Sequence, residues 1–147
     1  MFKVLVLLHT LSATIWTGGH LILAIMVLPK ALRNKDPDLV ENFEENFETL
    51  GLISLGIQII TGLGLTWVYF PHFQGLWSGD SFLSRYILIK LGLLLLTVIL
   101  AIHARLFIIP HLSTETMNSL AWHIVGITSI GVLFVVFGVG IRVGGLS

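Results

Sequence analysis

The sequence predicts an all-α integral membrane protein, an antiparallel bundle of four transmembrane helices that forms a single domain over residues 1–147. Of its 147 residues, 55% are hydrophobic and only 11% are charged, whereas soluble proteins carry about 25% charged residues. The mean hydropathy is +0.96. A chain so apolar has too few polar side chains to cover the surface of a water-soluble fold.

Four apolar segments are each long enough to cross a bilayer, which takes about 20 helical residues. They span about residues 4–28, 50–70, 86–109 and 120–141. Pro29, Pro71 and Pro110 follow the first three segments, and proline ends helices because it lacks an N–H and clashes with the preceding turn. The first apolar run is longer than the roughly 7–15 residues of a signal-peptide core, so we expect it to be a retained span.

The connection between the first two segments is polar and predicts an early start for the second helix. Asp36, Pro37 and Asp38 form a typical helix start, where acidic residues complement the helix dipole. Phe43 and Phe47 are spaced as on one face of a helix. We therefore expect an amphipathic helical lead-in before the second span.

The second segment carries a polar stripe. Ser54, Gln58 and Thr61 are spaced four and three residues apart, which places them on one face of a helix. We expect this face to point into the bundle, because polar groups are costly in hydrocarbon.

An even number of spans places both termini on one side of the membrane, here called side A, together with the second connection. The first and third connections lie on side B. Lys and Arg are equally numerous on the two sides, so the positive-inside rule assigns no orientation. We expect a multi-pass protein in the lipid bilayer of the bacterial inner (cytoplasmic) membrane. The net charge is zero and there is no cysteine, which argues against a nucleic-acid partner and excludes thiolate chemistry.

Three histidines from three different segments lie at similar depths in the side B half of the membrane. Counted at about 1.5 Å per residue from the side B ends, His20, His103 and His123 are roughly 12, 9 and 5 Å deep. His111 lies at the rim above them. Imidazole suits copper, zinc and iron, and ionisable groups inside a bilayer are candidates for function. The pattern predicts a metal site formed by these four histidines. The alternative for each is a hydrogen bond between helices.

The side A half contains His9 and Lys90. His9 comes eleven residues before His20, so the two imidazoles face the same direction roughly 16 Å apart and cannot share one metal ion. Lys90 either extends to the headgroups or faces inward and pairs with an anionic group such as a carboxylate or a haem propionate. The candidate cofactor-binding residues are His9, His20, Lys90, His103 and His123.

Motifs in the second and third segments resemble the copper-resistance D (CopD) domain. They are Ile60-Thr61-Gly62, residues 84–91 with Lys90-Leu91 at their end, and residues 105–110. This resemblance implies copper transport or copper resistance.

Other motifs are similar to HemJ, the membrane protoporphyrinogen oxidase family. His9 is followed by Trp16 and then by Gly19, Phe47-Glu48 precedes the second span, and Lys90-Leu91 precedes His103. This resemblance implies haem and the oxidation of a porphyrinogen. The two families look related, and together the resemblances cover most of the chain.

Three functions remain open at this point. The first is copper handling without enzymatic activity, which is favoured because the longest contiguous resemblance, from the second segment to Pro110, is to the CopD domain. The second is a protein that binds haem b, either for electron transfer or as a HemJ-like oxidoreductase. The third is a structural subunit whose polar residues pack helices against a membrane partner or a second copy of the chain.

Overall fold

The computed structural model describes residues 1–145, which are mostly helical and contain no strand. The first helix runs from α1 (Phe2–Ile22) through a π-helical segment (Leu23–Val27) into α2 (Leu28–Asn34). The second is α3 (Asp38–Tyr69), followed by a short 3₁₀ turn (Pro71–Phe73). The third runs from α4 (Phe82–His103) through a π-helical segment (Ala104–Ile108) into a 3₁₀ turn (Ile109–His111). The fourth is α5 (Met117–Val143).

These four helices are long and apolar enough to cross a membrane. Their full extents are Phe2–Asn34, Asp38–Tyr69, Phe82–His111 and Met117–Val143. The predicted all-α bundle of four membrane-spanning helices is thereby confirmed. Each helix also begins before the apolar segment that predicted it.

Pro29 does not end the first helix, which continues to Asn34. Pro29 lies in the first turn of α2, immediately after the π-helical segment, and a first-turn position needs no backbone N–H from proline. The helix ends at Lys35, whose backbone adopts the left-handed conformation with φ of 53°. The proline therefore marks a change of helical pitch instead of a membrane exit.

The early start of the second helix is confirmed. The helix begins at Asp38, and the Asp38 backbone N–H donates a hydrogen bond to Asp36 Oδ1 over 3.2 Å. The inward polar stripe is also present, because the side chains of Ser54 and Thr61 are only 2% and 3% exposed. Both hydroxyls donate to backbone carbonyls four residues earlier.

The helices do not pack evenly around the bundle. The first helix contacts both the second and the fourth, and the fourth contacts the third. Within residues 1–145, the second and third α-helices, α3 and α4, lack the close backbone packing that joins the other neighbouring helices. A cluster of buried apolar side chains fills the side B end, where Leu23, Ala31, Val40, Ile108 and Leu120 meet. The side B end is therefore closely packed, whereas the side A half is open in its centre.

Candidate cofactor site

A cavity of about 330 Å³ occupies the side A half of the bundle and is lined by all four helices. Most of its lining is aliphatic or aromatic. The polar and charged side chains that reach it include His9, Gln58, Lys90 and Arg142. Among the described residues, no aspartate or glutamate lines it. A mostly apolar cavity with a few polar groups is the usual form of a cofactor-binding or ligand-binding site.

The imidazole of His9 is oriented by Thr61. His9 Nδ1 lies 2.9 Å from Thr61 Oγ1, which lies 2.6 Å from the carbonyl oxygen of Ile57. A hydroxyl has a single proton and a carbonyl only accepts, so Thr61 donates to Ile57 and accepts from the Nδ1–H of His9. This assignment leaves Nε2 of His9 unprotonated, with a lone pair available to a metal.

Gly62 gives this imidazole the room it occupies. A Cβ atom placed on Gly62 would lie 3.3 Å from Cε1 of His9, which is tighter than most contacts in proteins. The Thr-Gly pair therefore has a physical explanation. Thr61 binds the back of the His9 ring and Gly62 leaves space at its edge.

Lys90 faces the interior of the bundle. Its ammonium lies beside the fourth helix, so that a Cβ on Gly138 would be 3.7 Å from Nζ. Arg142 adds a second positive charge towards the side A surface, where its guanidinium lies 5.5 Å from the centre of the Phe2 ring. The only ion pair among the described residues joins Arg105 to Glu48. The cavity thus carries two cations and no compensating carboxylate.

Two of the three side B histidines contact each other. His103 Nδ1 lies 3.0 Å from His123 Nε2, and the two rings are parallel within 6° with centroids 5.0 Å apart. His123 Nδ1 lies 2.9 Å from the Ser119 carbonyl oxygen and must donate to it. His123 Nε2 therefore accepts from His103 Nδ1–H, and the lone pair of His103 is on Nε2. The His103 side chain is exposed on the outside of the bundle.

His20 has other partners. Its Nδ1 donates to the Trp16 carbonyl oxygen over 2.9 Å, and its ring packs against Trp16 and Phe47. Phe47 in turn lies directly against Gly19, where a Cβ atom would displace the Phe47 ring. Trp16 and Phe47, which occur with His9 in the HemJ-like motif, therefore contact His20 and not His9.

The remaining side B residues do not complete a metal site. His111 is exposed at the end of the third helix, and its carbonyl accepts a hydrogen bond from Thr116. No three or more His, Cys, Asp or Glu residues within 1–145 are grouped so as to hold a metal ion. The structure therefore joins His103 to His123 without bringing His20 or His111 into the same group.

Sequence reasoning missed that Thr61 is the partner of His9. The signal was present, because His9 is seven residues from the side A start of the first helix at Phe2, and Thr61 is eight from the side A end of the second at Tyr69. Counting residues from the side A ends of these two helices would have placed His9 and Thr61 at nearly the same depth in the membrane. Arg142, the last basic residue of the fourth helix, also lines the cavity.

Four apolar helices around a polar intramembrane site define an integral, multi-pass membrane protein. The chain belongs to the copper resistance protein D (CopD) family, whose family model matches residues 41–142. No curated protein and no solved structure matches the chain. The matched region begins within the second helix and ends at Arg142. It therefore contains Thr61, Gly62 and Lys90 and excludes His9.

Proposed function

We propose that the side A cavity binds a b-type haem, whose iron would be held by His9 and whose carboxylates would be held by Lys90 and Arg142. The observation that carries this proposal is the His9 imidazole, which lines an apolar cavity while its Nδ1 binds Thr61 and its Nε2 keeps a lone pair. Among the described residues, two cations and no acidic side chain line the same cavity. The side chains that line the cavity suit such a group in their chemistry. The imidazole suits its iron, the aliphatic walls suit its macrocycle, and the cations suit its carboxylates.

The charge of the cavity favours haem over a bare copper ion at this position. Copper sites in proteins use several nitrogen or sulfur ligands, and only His9 supplies an imidazole here. Lys90 and Arg142 would also repel a metal cation. A porphyrin supplies four nitrogen ligands itself and brings negative charge with its propionates. The imidazole of His9 then has the iron as its partner, and the two cations have the carboxylates as theirs.

A haem held in this way supplies one-electron redox chemistry. The chain's own residues bind and orient the group. Thr61 holds the imidazole of His9 in one tautomer, Gly62 leaves room for it, and the closely packed side B end keeps the cavity apart from water on that side. The proposed location is the bacterial inner membrane.

The test is the visible spectrum of the protein purified in detergent, before and after reduction and after titration with haemin. We expect a Soret band that sharpens on reduction in the unmodified chain and is lost in His9→Ala. His72→Ala, at an exposed histidine in the second connection, is the matched control and should leave the band intact. A chain that binds no haem, or an unchanged band in His9→Ala, would show that the proposal is wrong.

A second candidate function is copper handling, with copper as cargo at the His103–His123 pair. Membership of the CopD family and the contact between these two imidazoles favour it. Copper between the rings would replace the proton that they now share, and His103 Nε2 offers a further lone pair. We expect His103→Ala to lower the copper bound per protein severalfold by elemental analysis, and unchanged stoichiometry would refute this site.

The two candidates are separable because they use different residues in different halves of the bundle. Haem binding should depend on His9 and not on His103, whereas copper binding should depend on His103 and not on His9. A partner protein or a second copy of the chain, which remains an expectation, would add ligands to His103 from outside the bundle.

A further inference from the structure

We propose that the side A cavity opens sideways into the bilayer between the second and third helices. Through this opening it admits a lipid-dissolved amphiphile that carries a carboxylate. The inference rests on the proposed function only for the identity of the natural ligand. The opening, and the preference for a carboxylate, follow from the packing and the charge of the cavity.

The position of the opening follows from which pairs of helices are closely packed. The first helix packs against the second and the fourth, and the fourth packs against the third, so three of the four sides of the bundle are closed. The fourth side lies between α3 and α4, which within the described residues lack the close backbone packing of the other three sides. Both of these helices nevertheless line the cavity. The cavity is therefore bounded on this side by a gap.

Aliphatic side chains of both helices line the cavity beside this gap. Ile59 and Leu63 line the cavity from the second helix, and Leu91 and Leu94 line it from the third. Leu63 lines the cavity and is also 48% exposed, which places it at the boundary between inside and outside. An opening with such a rim, at the depth of the membrane hydrocarbon, admits acyl chains and excludes water-soluble ions.

The gap is limited to the side A half. On side B, the Glu48–Arg105 ion pair joins the second helix to the third, and the buried apolar cluster fills the centre of the bundle. A molecule that enters through the gap therefore meets Lys90 and cannot pass on to side B. Two cations and, within residues 1–145, no acidic side chain line the cavity, which favours an anionic headgroup on such a molecule.

Access to the cavity can be measured with spin labels attached to single introduced cysteines, because the chain has no cysteine of its own. Single variants Leu94→Cys, Leu95→Cys and Thr97→Cys carry a nitroxide label in phosphatidylcholine vesicles. Collisions with oxygen report access from lipid, and collisions with a water-soluble nickel complex report access from water. Leu95 is 63% exposed outside the cavity and Thr97 is 1% exposed, so these positions give the lipid-exposed and the buried limits.

We expect the label at Leu94 to be reached by oxygen nearly as well as at Leu95, and to be poorly reached by nickel. A Leu94 label as inaccessible as the Thr97 label would show that the cavity is closed. A Leu94 label reached mainly by nickel would show that it opens to water. Either result overturns the lateral opening.

The ligand class can be tested with doxyl-labelled stearic acid and its methyl ester in the same vesicles. The fraction of each probe immobilised by the protein gives its relative affinity. We expect the acid to bind about tenfold more tightly than the ester, because one charge-assisted hydrogen bond contributes roughly that factor. Lys90→Gln should remove most of the difference. Lys3→Gln, at an exposed lysine near the N-terminus, is the control and should retain it.

Equal affinity of the acid and the ester, or an unchanged difference in Lys90→Gln, would refute the carboxylate preference. Failure of the proposed haem function is distinguishable. A chain that binds no haem but shows oxygen access at Leu94 and prefers the acid retains this inference and loses only the haem. A chain that binds haem but shows no lipid access at Leu94 loses the inference and retains the haem.

Discussion

Replacing Thr61 by valine tests whether the second helix orients the His9 imidazole. Valine has nearly the shape of threonine but lacks the hydroxyl that accepts the Nδ1–H of His9 over 2.9 Å. The substitution also removes the hydrogen bond from Thr61 to the Ile57 carbonyl. It leaves Gly62 and Lys90 unchanged. Any specific effect on haem binding therefore reports the contact with His9.

The expected magnitude follows from the loss of this one hydrogen bond. A neutral hydrogen bond contributes about 0.5–1.5 kcal/mol, and removing the partner that orients a metal-ligating histidine typically lowers metal affinity about 10–100-fold. We expect the haem affinity of Thr61→Val to fall by about tenfold, at the low end of that range. The low end applies because the hydroxyl is a neutral acceptor and the ring remains held by the packing around it.

The assay is a titration of the haem-free protein with haemin in detergent, followed by Soret absorbance. Thr97→Val is the control, because Thr97 is also buried and donates to a carbonyl four residues earlier, that of Leu93, over 2.9 Å. It loses the same kind of backbone contact without touching His9. Equal haem affinity in Thr61→Val and Thr97→Val, together with lost binding in His9→Ala, would refute the orienting role of Thr61.

Two further predictions concern the packing of the bundle. Gly62→Ala should lower haem affinity because the new Cβ would crowd His9, whereas a Cβ at Gly56 would meet open space, so Gly56→Ala should raise stability by about 0.5–1 kcal/mol. Haemin titration measures the haem affinity of both variants, and thermal unfolding in detergent measures their stability. Equal effects of the two substitutions would contradict the close approach at Gly62. The Glu48–Arg105 pair is partly exposed, so a double-mutant cycle with Glu48→Gln and Arg105→Gln should give a coupling energy below about 1 kcal/mol that falls with added salt. A larger or salt-independent coupling would mean that the pair is desolvated.

Much of the fold was predictable because its signals are local. The apolar runs predicted the four helices, and Asp36 to Asp38 predicted where the second helix begins. The inward stripe of Ser54 and Thr61 followed from helical spacing. Helix ends were less predictable, because a π-helical segment accommodates Pro29 without ending the first helix.

The candidate site was predictable in residue type and only partly in arrangement. Counting residues from the side B ends gave depths for His20, His103 and His123, but depth does not determine which way a side chain points around its helix. His103 points out of the bundle and pairs with His123, whereas His20 packs between Trp16 and Phe47. His9 had no evident partner in the sequence, yet it contacts Thr61 and lines the cavity.

The sequence by itself determined that this chain is a helical membrane protein, because only helices or closed barrels satisfy the backbone in hydrocarbon and the apolar runs have helical length. It also identified the few ionisable residues within the apolar segments. Only the tertiary structure decided how these residues combine. The rotation of each helix and the choice of its neighbours depend on side-chain packing across the whole bundle. That packing leaves α3 and α4 without close backbone contact, and the cavity beside them is lined by His9 and Lys90.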